Sequence, residues 1–518
     1  MKKESTVALT KTPGFGKLLN AYIEGKNTAL PSPIFDVKKG IEAKKNFPHR
    51  ALLKTCLIEQ NKGVSLSEKT RKNIELLGEK NTFCMTTGHQ LALAGGPLFV
   101  AYKILTTIKL VNEAKKTNPD YHFVPVFWLA SEDHDKEEID HFSLFGKTIK
   151  WETNQTGAVG NFSTNGIADV LEKMVAETNG LDQSLAEKLK KAYAQKDLSS
   201  ATRYLANELF GEYGLVIIDG NDKNLKHLFY PVIERELREK IAHASVKITN
   251  EKLVKAGFEP AIDPRELNLF LLAENDRRRL EFNHDQIETV DGGNTWKLVE
   301  FIDFASKNAE RISPNVLLRP IYQETILPNL AYVGGPAETE YWLQLDDLFS
   351  ALSLPMPQRV LRVCATVSNA KNLEKIKEAS LTLEDVFGDE ASLVKKITTL
   401  LGGENLDFTN EKLDFDALFT KLAIKAKAVD PTLEGAVNAE KARQEKALEG
   451  VFGRITKAEK TKQESAIGRI VKIRNSFLPN GKPQERSTTL LEVKGDLKVF
   501  FDAVIEQADL NAMNVFGE

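Results

Sequence analysis

Residues 81–111 read NTFCMTTGHQLALAGGPLFVAYKILTTIKLV, and residues 121–142 read YHFVPVFWLASEDHDKEEIDHF. The apolar run Phe83–Thr86 predicts a short buried strand entering a turn that holds Gly88, His89 and Gln90. Gly95, Gly96 and Pro97 then precede a long apolar helix. A second buried strand is predicted over Val124–Ala130, and it ends in Ser131-Glu132-Asp133-His134-Asp135. Two strands that deliver polar groups at their C-terminal ends build the ligand crevice of an open α/β sheet.

The same grammar recurs outward from this stretch. Leu215–Asp219 predicts another buried strand, and a helix is expected from about Leu225 to Ile248. Tyr332-Val333 reads as a strand followed by the turn Gly334-Gly335-Pro336 and a helix over Ala337–Leu352, with Pro336 suited to the first helical turn. Strands separated by helices point to a parallel, doubly wound, Rossmann-like α/β core over residues 81–367. Insertions are expected at about 145–210 and 225–315, with edge hairpins around Asp291-Gly292-Gly293. Residues 1–80 read as an N-terminal helical segment, including a capped helix over Ser67–Leu77, and Leu181–Phe210 reads as helical.

From about Ser368 the strand-like runs vanish, and Lys, Glu and Ala dominate. Asp430-Pro431 reads as a helix start, and Pro431–Ser476 as one long helix whose partial apolar seam suits a coiled coil, either with Phe415–Ala428 in a hairpin or with a second chain. Residues 368–478 are thus expected to form a helical coiled-coil domain, and 479–518 a tail returning to the core.

The chain's 518 residues are enough for two to four domains or sub-domains. A net charge of −3 argues against broad attraction to nucleic acid, and no stretch has the apolar length of a membrane span. The first residues lack a secretory signal pattern, and Cys56, Cys84 and Cys364 have neither disulfide nor metal-ligand spacing, so a cytoplasmic protein is expected.

The motifs carry chemistry of unequal specificity. His89 at a strand end is placed either to donate to a phosphate or carboxylate or to serve as a structural turn residue. Gly95, Gly96 and Pro97 permit close backbone approach, either around a phosphate or for helix packing, but match no phosphate-loop fingerprint. Adjacent ionisable groups at the end of a buried strand carry a desolvation penalty unless they face a polar cavity. Asp133 and His134 are therefore the candidate catalytic pair, the ring acting as general base, with Glu132 and Asp135 as binding groups. The plainer alternative is that Ser131 or Asp133 caps a helix beginning near Asp135. A metal site using Asp133, His134 and His141 lacks a recognised ligand spacing. Arg319 and Gln323, one helical turn apart, are expected to face the same cleft as Gly334, Gly335 and Glu338.

Three blocks together, TTGHQ…GGPLFVAYKILTTIKL, VPVFWLASEDHDKEEIDHF and RPIYQETILPNLAYVGGPAETEYWLQL, resemble the bacillithiol biosynthesis cysteine-adding enzymes, with FLPNGKPQER as a fourth. The resemblance runs from about residue 10 to the C-terminus. It implies a class I synthetase-like or nucleotidyltransferase-like Rossmann core with connecting-peptide insertions, and a coiled coil that supports a homodimer. It also implies a ligase that joins cysteine to glucosaminyl-malate, with ATP as the inferred activator of the cysteine carboxylate. Thr87, Gly88, His89 and Gln90 then lie at the active-site mouth, with helix N-termini at Gly88 and Gly334 holding anionic groups. Where this chain has His89 and Gly95, many members carry Gln and Thr, which favours binding over catalysis for His89. The alternatives are a nucleotidyltransferase acting on another small carboxylate and a coiled-coil assembly protein with a non-catalytic α/β core.

Overall fold

The computed structural model describes residues 1–177, 183–401 and 407–518. They divide into two compact units, one of residues 1–367 with 482–518 and one of residues 368–481.

Five parallel strands form the centre of the first unit: β1 (Thr82–His89), β2 (His122–Leu129), β3 (Val216–Asp219), β4 (Asn329–Gly334) and β5 (Gln358–Leu361). Their spatial order is β5-β4-β1-β2-β3. The chain winds outward from β1 to β3, then crosses back to lay β4 on the other side of β1. The carboxyl ends of β1 and β4 therefore flank the switch point, where open parallel sheets bind ligands. The strands are apolar on both faces because helices cover both. Helix α1 (Leu98–Thr117) packs Leu105 and Ile108 in the core that holds Phe127 and Leu129. Helix α2 (Lys223–Glu239) supplies Phe229 and Ile233 to the opposite face, with Val124, Val126 and Trp128. Helices α3 (Leu318–Ile326) and α4 (Pro336–Trp342) flank β4 in sequence.

Several elements depart from their expected limits. β1 pairs with β2 as far as His89 opposite Leu129, so Gly88 and His89 end a strand rather than form a turn. A Cβ at Gly88 would lie 3.1 Å from Trp128 Cβ, so glycine suits this close approach of neighbouring strands. The helix expected over Ala337–Leu352 is two, α4 and Asp346–Ala351. The one expected from Leu225 to Ile248 breaks at Lys240, whose φ is +52°. The expected 181–210 helix is also two, Gln183–Ala192 and Leu198–Phe210, while residues 181 and 182 lie outside the described residues. The N-terminal segment is not wholly helical. Lys2–Ala8 is a strand that pairs antiparallel with Ala512–Gly517, beside the C-terminal helix Leu497–Gln507.

The first insertion contains the hairpin His141–Leu144/Lys147–Lys150. The second carries an antiparallel sheet that includes Leu269–Ala273, Asp276–Asn283 and Ile312–Pro314.

The second unit is helical throughout its named elements. Helices α5 (Thr409–Val429) and α6 (Leu433–Phe477) form an antiparallel hairpin. It is clasped by Lys427–Glu434 at 2.8 Å and Lys441–Asp416 at 2.7 Å, with Phe408 stacked on Phe452 at 4.1 Å. The long helix starts two residues later than Pro431. Asp430 Oδ1 accepts from Thr432 N at 2.8 Å, closing a tight turn instead of capping a helix at Pro431. Among the described residues, no helix is long and apolar enough to cross a membrane.

Candidate active site

Lys103 sits on α1 in a helix otherwise rich in apolar residues, and its side chain is 1% exposed. Its ammonium donates to Gly88 O at 2.5 Å and pairs with Glu338 Oε2 at 2.6 Å, joining the ends of β1 and α4. Glu338 also accepts from Gly335 N at 2.9 Å and from the Tyr332 hydroxyl at 2.7 Å. Burial pushes the Glu338 carboxyl up, but Lys103 and these donors outweigh it and hold the group at about 2. Lys103 itself is shifted down by burial, with Glu338 opposing. His89 is half-buried, edge-on to Phe99 at 5.2 Å. Burial, reinforced by Lys103 and Arg362, lowers its pKa to about 3, so the ring is neutral in the physiological range.

Two guanidinium groups extend the cationic wall. Arg319 on α3 donates to Gln323 Oε1 at 3.1 Å and lies over the Tyr332 ring at 5.3 Å. Tyr341 also engages the guanidinium, while its buried Nη2 has no hydrogen-bond partner among the described residues. Arg362 follows β5 and donates to Glu485 Oε1 at 2.6 Å, while its Nε also lacks a partner among the described residues. Glu485 lies within the fourth sequence block and accepts from Ala365 N at 2.9 Å, which fixes that block against the core.

The Ser131–Asp135 run divides its charges. Ser131 donates to Asp219 at the end of β3, where burial pushes the Asp219 carboxyl up. Glu132 pairs with buried Lys226 of α2. Asp133 Oδ2 accepts from Gln90 at 2.9 Å, tying this loop to the residue after His89. Burial raises the Asp133 carboxyl, but His134, Gln90 and Arg277 together hold it well below the carboxylate range. His134 and Asp135 are exposed. His134 Nδ1 lies 3.1 Å from Arg277 Nη1 and 3.5 Å from Asp133 Oδ1.

The structure thus gathers Gly88, His89, Gln90, Gly334, Gly335, Glu338, Arg319, Glu132, Asp133 and His134 around the carboxyl ends of β1, β2 and β4. Other expectations need correction. No helix begins at Gly88, because α1 starts at Leu98 and its first amide donates to Thr488 O at 2.8 Å. At Gly334-Gly335 the Gly335 N–H, at the N-cap of α4, is already occupied by Glu338. Gly96 (φ +75°) meets a conformational demand, and an added Cβ would press on Val100 Cγ2 at 2.9 Å. Thr87 spends its hydroxyl on Val333 O inside the sheet, at 2.8 Å. Gln323 is buried, turned toward Arg319 and Glu324. The helix expected near Asp135 is a single 3-10 turn, Lys136–Glu138. His141 sits on the hairpin with Asp140 at 3.0 Å, and among the described residues no cluster of His, Cys, Asp or Glu is arranged for a metal.

Sequence reasoning missed Lys103, Arg277, Arg362 and Glu485. Lys103 left one signal, a lone cation inside LFVAYKILTTI. The others sit in ordinary-looking polar contexts.

A doubly wound sheet with charged groups at its switch point belongs to the broad class of Rossmann-like small-molecule sites. Residues 16–363 match the N-terminal Rossmann-like domain of bacillithiol biosynthesis BshC, and residues 365–495 match its C-terminal coiled-coil domain. The chain belongs to the bacillithiol biosynthesis BshC family. A relative from Cytophaga hutchinsonii, named "Putative cysteine ligase BshC", is 37% identical over 491 residues, covering 93% of this chain and 92% of that protein. One of the same name from Flavobacterium johnsoniae is 35% identical, covering 92% of each chain. Another, from Bacillus cereus, is 27% identical and covers 83% of each.

Proposed function

We propose that this protein is a cytoplasmic cysteine ligase that joins cysteine through an amide bond to glucosaminyl-malate, the last step of bacillithiol formation, with ATP as activator. The observation that carries the reading is the convergence of three strand ends on one crevice with both fixed cations and a carboxylate–imidazole pair. The family match over nearly the whole chain, and the ligase name its relatives bear, support it.

Both substrates carry carboxylates, so the site must hold anions. Arg319 suits that task, since its buried Nη2 has no partner among the described residues and a guanidinium pairs well with carboxylate or phosphate oxygens. The same group fits a nucleotide phosphate, with neutral His89 as a second donor. ATP, when bound, supplies the group transfer that makes the cysteine carboxyl electrophilic. Lys103 and Glu338 hold the β1 and α4 ends at fixed separation, and Asp133 with His134 faces the bound substrate from the end of β2. The substrates are small molecules, with no role for nucleic acid or membrane. Two chains are proposed to pair through the α5–α6 hairpin, which exposes Leu413, Leu418, Ile424 and Val429.

The test combines the purified full chain with cysteine, glucosaminyl-malate and ATP, and follows products by mass spectrometry. A cysteinyl amide is expected; its absence under every nucleotide condition overturns the assignment.

A further inference from the structure

Arginine has only donors to offer, so the contact between Arg277 and His134 fixes a proton. The Arg277 side chain is 8% exposed and comes from Asp276–Asn283 in the second insertion, far from β2 in sequence. Its guanidinium lies over the Phe270 ring at 4.0 Å. Nη2 donates to Pro314 O at 2.9 Å and Nε to Ser313 Oγ at 3.2 Å, so the group is held on three sides. The remaining nitrogen, Nη1, reaches His134 Nδ1 at 3.1 Å, nearer than Asp133 Oδ1 at 3.7 Å. A guanidinium stays protonated and accepts no hydrogen bond, so Nδ1 must be the acceptor. The proton of the neutral ring then resides on Nε2, which has no partner among the described residues. Asp133 Oδ1, farther off at 3.5 Å, already accepts from the backbone N–H of His134 at 2.8 Å.

This arrangement opposes the one a carboxylate-backed general base requires. There the carboxylate takes Nδ1–H and leaves Nε2 as a lone pair. We infer that Arg277 is a positioning residue that locks His134 as an Nε2–H donor, so that the ring hydrogen-bonds an anionic oxygen of a bound substrate instead of removing the amine proton. The inference rests on the ligase reading for its substrate, but its geometric half does not. It also gives the second insertion a role: the antiparallel sheet presents the group that sets the protonation of a loop at the end of β2.

The experiment uses full-length protein labelled with 15N-histidine, His134 being assigned by loss of its signals in His134→Gln. Long-range 1H–15N correlation distinguishes the tautomers without any substrate. Wild type is expected as Nε2–H. Arg277→Met, which removes every donor while keeping most of the apolar stem, is expected to move the ring to Nδ1–H facing Asp133. Arg277→Lys is expected to restore part of the Nε2–H form. In the ligase assay, Arg277→Met should lose roughly tenfold or more in turnover, the scale of one hydrogen bond to a charged group. Measuring the KM for cysteine, glucosaminyl-malate and ATP separately shows which anion is held. A wild-type ring in the Nδ1–H form overturns the proposal, as does Arg277→Met that keeps Nε2–H, or that changes tautomer with unchanged kinetics. If no ligase activity exists at all, the spectra still decide the tautomer, and the failure belongs to the substrate assignment.

Discussion

Replacing Glu338 by Gln leaves a buried ammonium without its counter-charge, which tests the electrostatic frame of the crevice. Lys103 Nζ and Glu338 Oε2 are 2.6 Å apart. At an effective dielectric constant of about 20 that separation corresponds to about 6 kcal/mol of attraction. Desolvating the two groups opposes it by several kcal/mol each, so the intact pair adds little, while removing one partner costs about 3–5 kcal/mol. The lower end applies to Glu338→Gln, because the amide still accepts from Tyr332 and Lys103 keeps Gly88 O. Lys103→Met leaves the carboxylate only its neutral donors, Tyr332 and Gly335 N, and a loss of about 3 kcal/mol is again expected. The double variant should lose less than the sum of the two by at least about 1 kcal/mol. Urea unfolding followed by tryptophan fluorescence reads this directly, since Trp128, Trp151, Trp296 and Trp342 all lie in the first unit. The pH dependence has a definite sign. A depressed carboxyl stabilises fully above its unfolded value near 4.5, and that contribution disappears as pH falls toward about 2. Additive losses in the double variant, or a wild-type advantage over Glu338→Gln that does not shrink across that window, would refute the reasoning.

Three further outcomes are expected. His89 has a lowered pKa in the fold, so its neutral form stabilises above an unfolded value near 6.5 and wild type should lose ground to His89→Gln as pH falls toward about 3, measured by the same unfolding assay. Arg319→Met should raise the KM for an anionic substrate by roughly tenfold or more in protein that is still folded at the assay temperature, and an unchanged KM would remove Arg319 from recognition. Gly160→Ala would place a methyl 2.6 Å from Ser131 Cβ and 2.8 Å from Ser131 O, so about 1–3 kcal/mol of stability and part of the turnover should be lost together, as denaturant and kinetic measurements on one preparation would show.

Much of the core was legible because its signals are local. A run such as VPVFWLA is apolar on both faces and so announces a strand covered twice, and the seam from Leu433 to Ile473 announces a helix whatever it packs against. The limits of elements were less legible where a neighbour extends or breaks them. Gly88 and His89 look like turn residues, yet β2 offers pairing partners as far as Leu129 and the strand continues. Lys2–Ala8 has no strong alternation of its own, and its partner strand, Ala512–Gly517, lies at the other end of the chain.

The candidate site divides along the same line. By itself the sequence determined which strands deliver polar groups, the blocks that mark the family, and the residues His89, Asp133, His134, Arg319 and Glu338 as candidates, because residue type and position at a strand end are local properties. Only the tertiary structure decided what each of these groups faces: Lys103 against Glu338, Arg362 against Glu485, Gln90 against Asp133 and Arg277 against His134. Such pairings follow from how α1, α4 and the insertion sheet pack. Periodicity records that a side chain is buried but carries no record of which distant charge it is buried against, and that partner sets whether His134 offers a lone pair or a proton.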